Sequence, residues 1–220
     1  AVGVDLIRNV IESATSTYPE IDFIQGNSSE ELELTDDFDL VIGALPLGAR
    51  CGRRKITPDI STNNTSDVIL YRSLLKLKPQ GIGIFLAAQG LLFGRSSKMI
   101  TKTLSSEGIN PIGLFYVGNP LGERSGIPGI IIIFQRNGMG LSVVGKAPNG
   151  SESFLPKLRN MIYDSGDEIE GYRRSVFENV SSFTNDGEPI FADNESNIES
   201  LKLRLNNIGT DIYSFDDVVI

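Results

Sequence analysis

The order of apolar runs in the first 43 residues constrains the fold of this chain more than any other feature. Val2-Gly-Val-Asp5 is a short strand-like run. Leu6, Ile7, Val10, Ile11 and Ala14 then recur at helical spacing, and Tyr18-Pro19 stops that helix. Ile21-Asp-Phe23-Ile24-Gln25 is a second run, closed by Gly26-Asn27. After an acidic stretch from Glu30 to Asp37, a third run, Phe38-Asp-Leu-Val-Ile-Gly43, ends at glycine. Strand, helix, strand, loop, strand built from such runs predicts a parallel sheet covered on both faces.

The remaining elements extend this reading. Residues 44–66 are expected to form a loop, with Gly48, Gly52, Pro58 and a Ser-Thr-Asn-Asn-Thr-Ser stretch. From Asp67 a helix carries Val68, Ile69, Leu70, Leu74, Leu75 and Leu77, and Pro79-Gln-Gly81 is expected to end it. Gly83-Ile-Phe-Leu-Ala87 is the next strand, and Ser96 to Glu107 an amphipathic helix. Ile112 to Val117 and Ile127 to Gln135 are expected as antiparallel neighbours joined by the loop Gly118–Gly126. Beyond Arg136 the pattern changes to a small strand at Ser142-Val-Val-Gly and helical stretches near 154–163, 168–179 and 195–207. The expected architecture is therefore α/β, a mostly parallel sheet with a late antiparallel strand and a mainly helical C-terminal tail. The division falls into an α/β domain over 1–147 and an extension over 148–220.

Composition narrows the chemistry. The 220 residues contain no histidine, which excludes Ser-His-Asp and Cys-His catalysis and any histidine-ligated metal. Cys51 is the single cysteine, so no intrachain disulfide forms, and its solitude fits a reducing, cytoplasmic setting. The absence of tryptophan argues against a single-strand binder that works by stacking. The longest apolar run, Gly129 to Phe134, is a strand's length, far short of the ~20 residues of a membrane span. The opening Ala-Val-Gly-Val-Asp has no initiator methionine and no signal-peptide pattern, as expected of a chain that begins inside a larger protein.

Charge lies in blocks. Residues 1–48 hold 1 basic and 10 acidic side chains, residues 49–150 hold 13 basic and 4 acidic, and residues 151–220 hold 6 basic and 14 acidic. A basic middle between acidic flanks makes a local positive face despite the overall charge of −8. Within it, Arg50, Arg53, Arg54 and Lys55 have two readings: phosphate contacts to DNA, or solvated surface. The pairs Asp36/Asp37 and Asp216/Asp217 lie in polar surroundings and read as solvated.

Three segments in this order resemble the catalytic domain of DNA adenine-N6 methyltransferases, and most closely the modification subunits of type I restriction systems. Val4-Asp5 resembles the strand end whose acid bonds the ribose of S-adenosylmethionine. Ile24-Gln-Gly-Asn27-Ser is similar to the segment whose acid lies near the adenine ring of that cofactor. Phe38-Asp-Leu-Val-Ile-Gly-Ala-Leu-Pro-Leu-Gly48 resembles the strand and turn bearing an Asn-Pro-Pro-Phe/Tyr signature. Leu74 to Phe93 and Ile127 to Arg136 resemble the segment after that turn and the family's late strand, so the likeness covers about residues 1–136. It implies S-adenosylmethionine as cofactor, and DNA and the specificity and restriction subunits as partners.

The same likeness exposes departures. The signature positions here are Ala44, Leu45, Pro46 and Leu47, so only the second proline is kept. Alanine offers no side-chain acceptor to the adenine amino group, and leucine offers no aromatic face to a flipped base. Asn27 lacks the charge of the acid it replaces. The family's strand with the glycine-rich cofactor loop would lie before residue 1, so the resemblance implies a sheet lacking its central strand. Asp5 has two readings, a ribose-binding carboxylate or the start signal of the following helix. The turn over 43–48 is a vestigial base-binding turn or simply a tight turn after a strand. Asn119-Pro120-Leu121-Gly122 mimics the missing signature but follows the wrong strand. Two functions stay open: a methyltransferase-like domain with a degenerate catalytic turn, and a non-catalytic module that binds a partner subunit or DNA. A third, a methyltransferase for another substrate, needs the same cofactor loop.

Overall fold

A computed structural model describes residues 1–191 apart from 31, 33, 35–36, 92, 121, 123–125, 139–140, 148–153 and 164–168. The helical stretch expected at 195–207, and Asp36, Asp216 and Asp217, lie outside the described residues. The early elements follow the apolar runs. β1 (Val2–Asp5), α1 (Arg8–Thr17), β2 (Asp22–Gln25) and β3 (Phe38–Ala44) appear in the expected order.

The segment 44–66 is not the irregular loop expected of it. It contains two strands, β4 (Arg50–Lys55) and β5 (Ser61–Asn64), paired antiparallel with Arg54 opposite Thr62 and Lys55 opposite Ser61. Both strands lack the alternation of apolar residues that marks a half-buried strand, because the ribbon is exposed on most of its length. α2 (Thr65–Leu75) begins where Asn64 accepts a hydrogen bond from the Ser66 amide at 3.1 Å, with Asp67 in the first turn favouring the helix dipole. It ends earlier than Pro79 suggests. β6 (Leu77–Ala88) already includes Pro79 and Gly81, and Gln80 takes a positive φ of 65° inside it.

A 3-10 turn at Gln89–Leu91 leads to α3 (Arg95–Ser106), then β7 (Ile109–Gly118), β8 (Gly129–Arg136) and β9 (Leu141–Lys146). α4 (Phe154–Tyr163) matches the helix expected there. The helix expected over 168–179 does not form: β10 (Tyr172–Val176) pairs antiparallel with β9, followed by a 3-10 turn, β11 (Val180–Phe183) and β12 (Pro189–Phe191). Tyr172-Arg-Arg-Ser-Val176 has one apolar residue at each end and no core-facing stripe, so its partner strand decides its conformation.

The principal sheet runs β10-β9-β7-β8-β6-β3. β3 is parallel to β6 and β9 to β7, while β8 runs antiparallel to both β6 and β7. Four strands thus share one direction, and β8 and β10 oppose it. One face of the sheet meets α2 and α3 through Leu70, Leu74, Ile100 and Leu104, which pack with Phe85, Leu114, Ile130, Ile132 and Phe134. Helix α2 approaches closely: a Cβ on Gly83 would lie 2.5 Å from Leu74 Cδ2. The opposite face carries a smaller cluster in which Leu158 and Met161 of α4 cover Phe115 and Val143. That cover does not reach β3, where Leu40 and Ile42 remain 51% and 70% exposed.

β1 and β2 form a separate parallel pair. Among the described residues no strand joins β1 to β3. Chain after residue 176 returns to the principal core, where Phe177, Val180 and Phe183 are buried, and Phe183 stacks on Tyr116 with ring centroids 5.6 Å apart. No helix of the described residues is long and apolar enough to cross a membrane.

Candidate functional site

The carboxyl ends of parallel strands are where loops are free to build a site, and the named residues of β1, β2 and β3 sit there. Asp5 closes β1 opposite Gln25, and its carbonyl accepts the Gly26 amide at 2.9 Å, so Asp5 and Asn27 flank one end of the β1–β2 pair. The half-buried Asp5 side chain points into the chain that follows: Oδ1 accepts the Ile7 amide at 2.7 Å, one turn before α1. The helix cap itself is Ile7, so Asp5 steers the entry to α1 from two residues upstream. Oδ2 has no protein partner among the described residues.

Asn27 is engaged on both sides of its amide. Oδ1 accepts from the Ser29 amide at 3.0 Å and from Ser29 Oγ at 2.7 Å, and Nδ2 donates to Glu30 Oε1 at 3.3 Å. This is an Asx turn, in which a short polar side chain closes the loop. Glu30 Oε1 also accepts from Arg54 Nη2 at 3.4 Å, which links the Asn27 loop to the basic ribbon. Arg72 Nη1 and Lys76 Nζ of the α2 region hold the same loop through the carbonyls of Ser29 and Leu34, at 2.8 and 2.7 Å.

The turn after β3 is tied to neighbouring elements at three points. The Leu45 amide donates to the Leu86 carbonyl of β6 at 2.8 Å, Ser66 Oγ donates to the Pro46 carbonyl at 2.7 Å, and the Thr65 amide donates to the Ala49 carbonyl at 3.2 Å. Leu45 is only 4% exposed and belongs to the main core, whereas Ala44 is exposed and Leu47 half-buried. Gly48 allows the chain to turn with φ +76°. A proline at 45 would lose the amide that bonds β6. The structure therefore gives Leu45 a packing role of its own.

Arg50, Arg53, Arg54 and Lys55 project from β4 rather than from an irregular loop, and all four are exposed. Arg50 Nη1 donates to Asn63 Oδ1 across the ribbon at 2.9 Å. These residues share one exposed β-ribbon attached to the Ala44–Leu47 turn on one side and to α2 on the other.

Sequence reasoning missed Asp67. Its carboxylate is 1% exposed and accepts from Thr62 Oγ1 and Ser96 Oγ at 2.9 Å on Oδ2, and from Ser97 Oγ at 2.8 Å on Oδ1. Near the amino ends of both α2 and α3 a negative charge is favoured. The motif Asn64-Thr-Ser-Asp67 has the cap-and-acid pattern of a helix start, the signal that would have located it. Among the described residues no group of three or more His, Cys, Asp or Glu is placed to hold a metal ion.

No family profile and no curated protein matches the sequence. Solved structures do match the fold. The modification subunit of a putative type I restriction enzyme from Vibrio vulnificus matches with TM-score 0.66 and 15% identity, over 91% of this chain and 49% of that one. The methyltransferase subunit of the type I restriction-modification system from Streptococcus thermophilus matches with TM-score 0.63 and 16% identity, over 81% and 45%. A putative class I S-adenosylmethionine-dependent methyltransferase from Listeria monocytogenes matches with TM-score 0.55 and 15% identity, over 76% and 55%. The chain spans about half the length of these structures, and the likeness establishes the fold: that of S-adenosylmethionine-dependent methyltransferases.

Against that cofactor the described residues fit at one end only. Asp5 Oδ2 is an acceptor suited to a ribose hydroxyl. The Asn27 side-chain oxygen already accepts two hydrogen bonds within its own loop, and Ala44 has no polar side-chain atom.

Proposed function

We propose that this chain is a DNA adenine-N6 methyltransferase-like domain of a restriction-modification subunit, and that as it stands it does not methylate adenine. The observation that carries this reading is the turn after β3, with an exposed alanine at 44 and a core leucine at 45. S-adenosylmethionine supplies an electrophilic methyl group. The chain's own task would be to orient the adenine amino nitrogen, whose lone pair is delocalised into the ring. That requires a hydrogen-bond acceptor on the turn, and loss of one positioning group typically costs about 3–4 kcal/mol of transition-state stabilisation. In this reading Asp5 keeps a ribose contact, and Arg50, Arg53, Arg54 and Lys55 approach DNA phosphates. The specificity and restriction subunits are its partner proteins, and its setting is cytoplasmic.

Labelled S-adenosylmethionine and adenine-containing duplexes test this directly. The wild-type chain should transfer no methyl group. Restoration is best attempted with Ala44→Asn and Leu47→Phe, leaving Leu45 in place because its amide bonds Leu86. Robust methylation by the unaltered protein would overturn the reading of the turn and make Asn119 the first residue to mutate.

The closed hydrogen bonding of Asn27 favours a second reading, a non-catalytic module that keeps the fold and binds a partner subunit or DNA. Calorimetry separates the two. A low-micromolar S-adenosylmethionine site lost in Asp5→Ala supports the enzyme-derived site, whereas no detectable heat supports the module.

A further inference from the structure

From Val68 to Ser106 the chain contains no acidic residue, while Arg72, Lys76, Lys78, Arg95, Lys98 and Lys102 are basic. The first three are engaged. Arg72 and Lys76 donate to the carbonyls of Ser29 and Leu34, and Lys78 pairs with Asp39 at 2.9 Å. The last three all lie on α3, and their side chains have no hydrogen-bond or ion-pair partner among the described residues. Together with Met99 they are exposed along one stripe of the helix, opposite the buried Ser97, Ile100, Thr101 and Leu104. At the helical rise per residue the stripe is about 10 Å long from Arg95 to Lys102. These cations do nothing for the helix itself: Arg95 opens α3, no acid stands in its first turn, and the dipole disfavours positive charge there. The stripe begins beside the basic ribbon. Ser96 Oγ and Thr62 Oγ1 both donate to Asp67 Oδ2 at 2.9 Å, and Thr62 of β5 is the cross-strand partner of Arg54 on β4.

We propose that the stripe on α3 is a second contact surface for duplex DNA, where Arg95, Lys98 and Lys102 meet the phosphates of a duplex that also touches the β4–β5 ribbon. The proposal rests on the reading that the ribbon approaches DNA and adds an element to it. A chain with a net charge of −8 repels a polyanion over most of its surface, so a duplex is held where cations are left uncompensated. Those cations are the α3 row. Each one that meets a phosphate releases counterions, which is the main source of affinity for a duplex irrespective of sequence. The occupant follows from the chemistry of the stripe. A protein interface needs an apolar centre, and α3 offers only Met99, 39% exposed, among three charges. Buried Asp67 fixes the start of α3 against the ribbon, so the two basic elements keep one relative position. Phosphate contacts of this kind set register on the duplex and read no bases.

The test measures binding of the whole chain to a labelled duplex across a salt series. One variant carries Arg95→Gln, Lys98→Gln and Lys102→Gln, exposed changes that keep helix propensity. A control with the same change in charge carries Lys157→Gln, Arg159→Gln and Arg173→Gln, exposed on α4 and β10, where α4 covers the other face of the sheet. The α3 variant should bind roughly tenfold more weakly or worse at about 0.1 M salt, with the salt slope reduced by up to about 0.9 per lost contact. The control should lose far less. The proposal is overturned if the α3 variant loses no more than the control. If the variant with Gln at all four ribbon positions still loses affinity in that case, the ribbon reading stands and only the α3 surface falls; if the wild-type chain binds no duplex, both fall. A second measurement needs no variant. Acetylation of the wild-type chain, read by mass spectrometry, should be slowed by duplex at Lys98 and Lys102 and unchanged at Lys157, and equal labelling with and without duplex would also overturn the proposal.

Discussion

Individual residues in this chain act against the roles that their position in the order of strands implies. Asn27 stands at the end of a parallel strand, yet its amide closes a loop onto Ser29 and Glu30. Leu45 stands where a signature proline is expected, yet it donates to Leu86 and is buried in the core. Neither was legible in the sequence, because a polar or apolar residue in a turn does not announce its hydrogen-bond partner. Asp67 makes the same point from the other side: a lone acid on a predicted helix reads as surface, and here it accepts three hydroxyl hydrogens in the interior. Asp67→Ala would strand Thr62, Ser96 and Ser97 and is expected to cost about 2–3 kcal/mol, since bonds to a charged acceptor are stronger than neutral ones. Urea unfolding measures that loss. Asp67→Asn, which keeps one acceptor oxygen, should cost less.

At the scale of elements, the stretches with clean periodicity were legible: β1, α1, β2 and β3 stand in the order that their apolar spacing predicts. The failures share a physical cause. β4, β5 and β10 are strands because a neighbour supplies hydrogen bonds, and their own side chains carry little apolar pattern. The correction at β4 sharpens an expectation about DNA. Successive side chains on a paired strand point to opposite faces of the ribbon, so neighbours such as Arg54 and Lys55 diverge and a duplex would meet only part of the set on one face. Changing all four to Gln should weaken duplex binding regardless of sequence and reduce the slope of log affinity against log salt by up to about 0.9 per lost contact. Fluorescence anisotropy across a salt series reads both effects. An unchanged slope would assign these residues to solvated surface.

Over the whole molecule, the segment 177–183 is part of the interior rather than an ornament on it. Gln89 Nε2 donates to Ser182 Oγ at 3.0 Å, and Phe177, Val180 and Phe183 share one core with Phe85, Leu114 and Ile130. Phe183→Ala should destabilise the fold by about 3–5 kcal/mol, the usual cost of deleting a buried aromatic ring. Removal of residues after 176 should leave a chain that binds a hydrophobic dye and unfolds without a sharp transition; sharp two-state unfolding of that truncated chain would contradict this account. The same feature has a consequence for synthesis. On a ribosome the strands up to Arg136 emerge before the aromatic residues that finish covering them, and at typical elongation rates the interval lasts on the order of several seconds. During that time Tyr116 lacks the Phe183 ring that stacks on it, so this end of the core stays open to wrong partners until Phe183 leaves the exit tunnel.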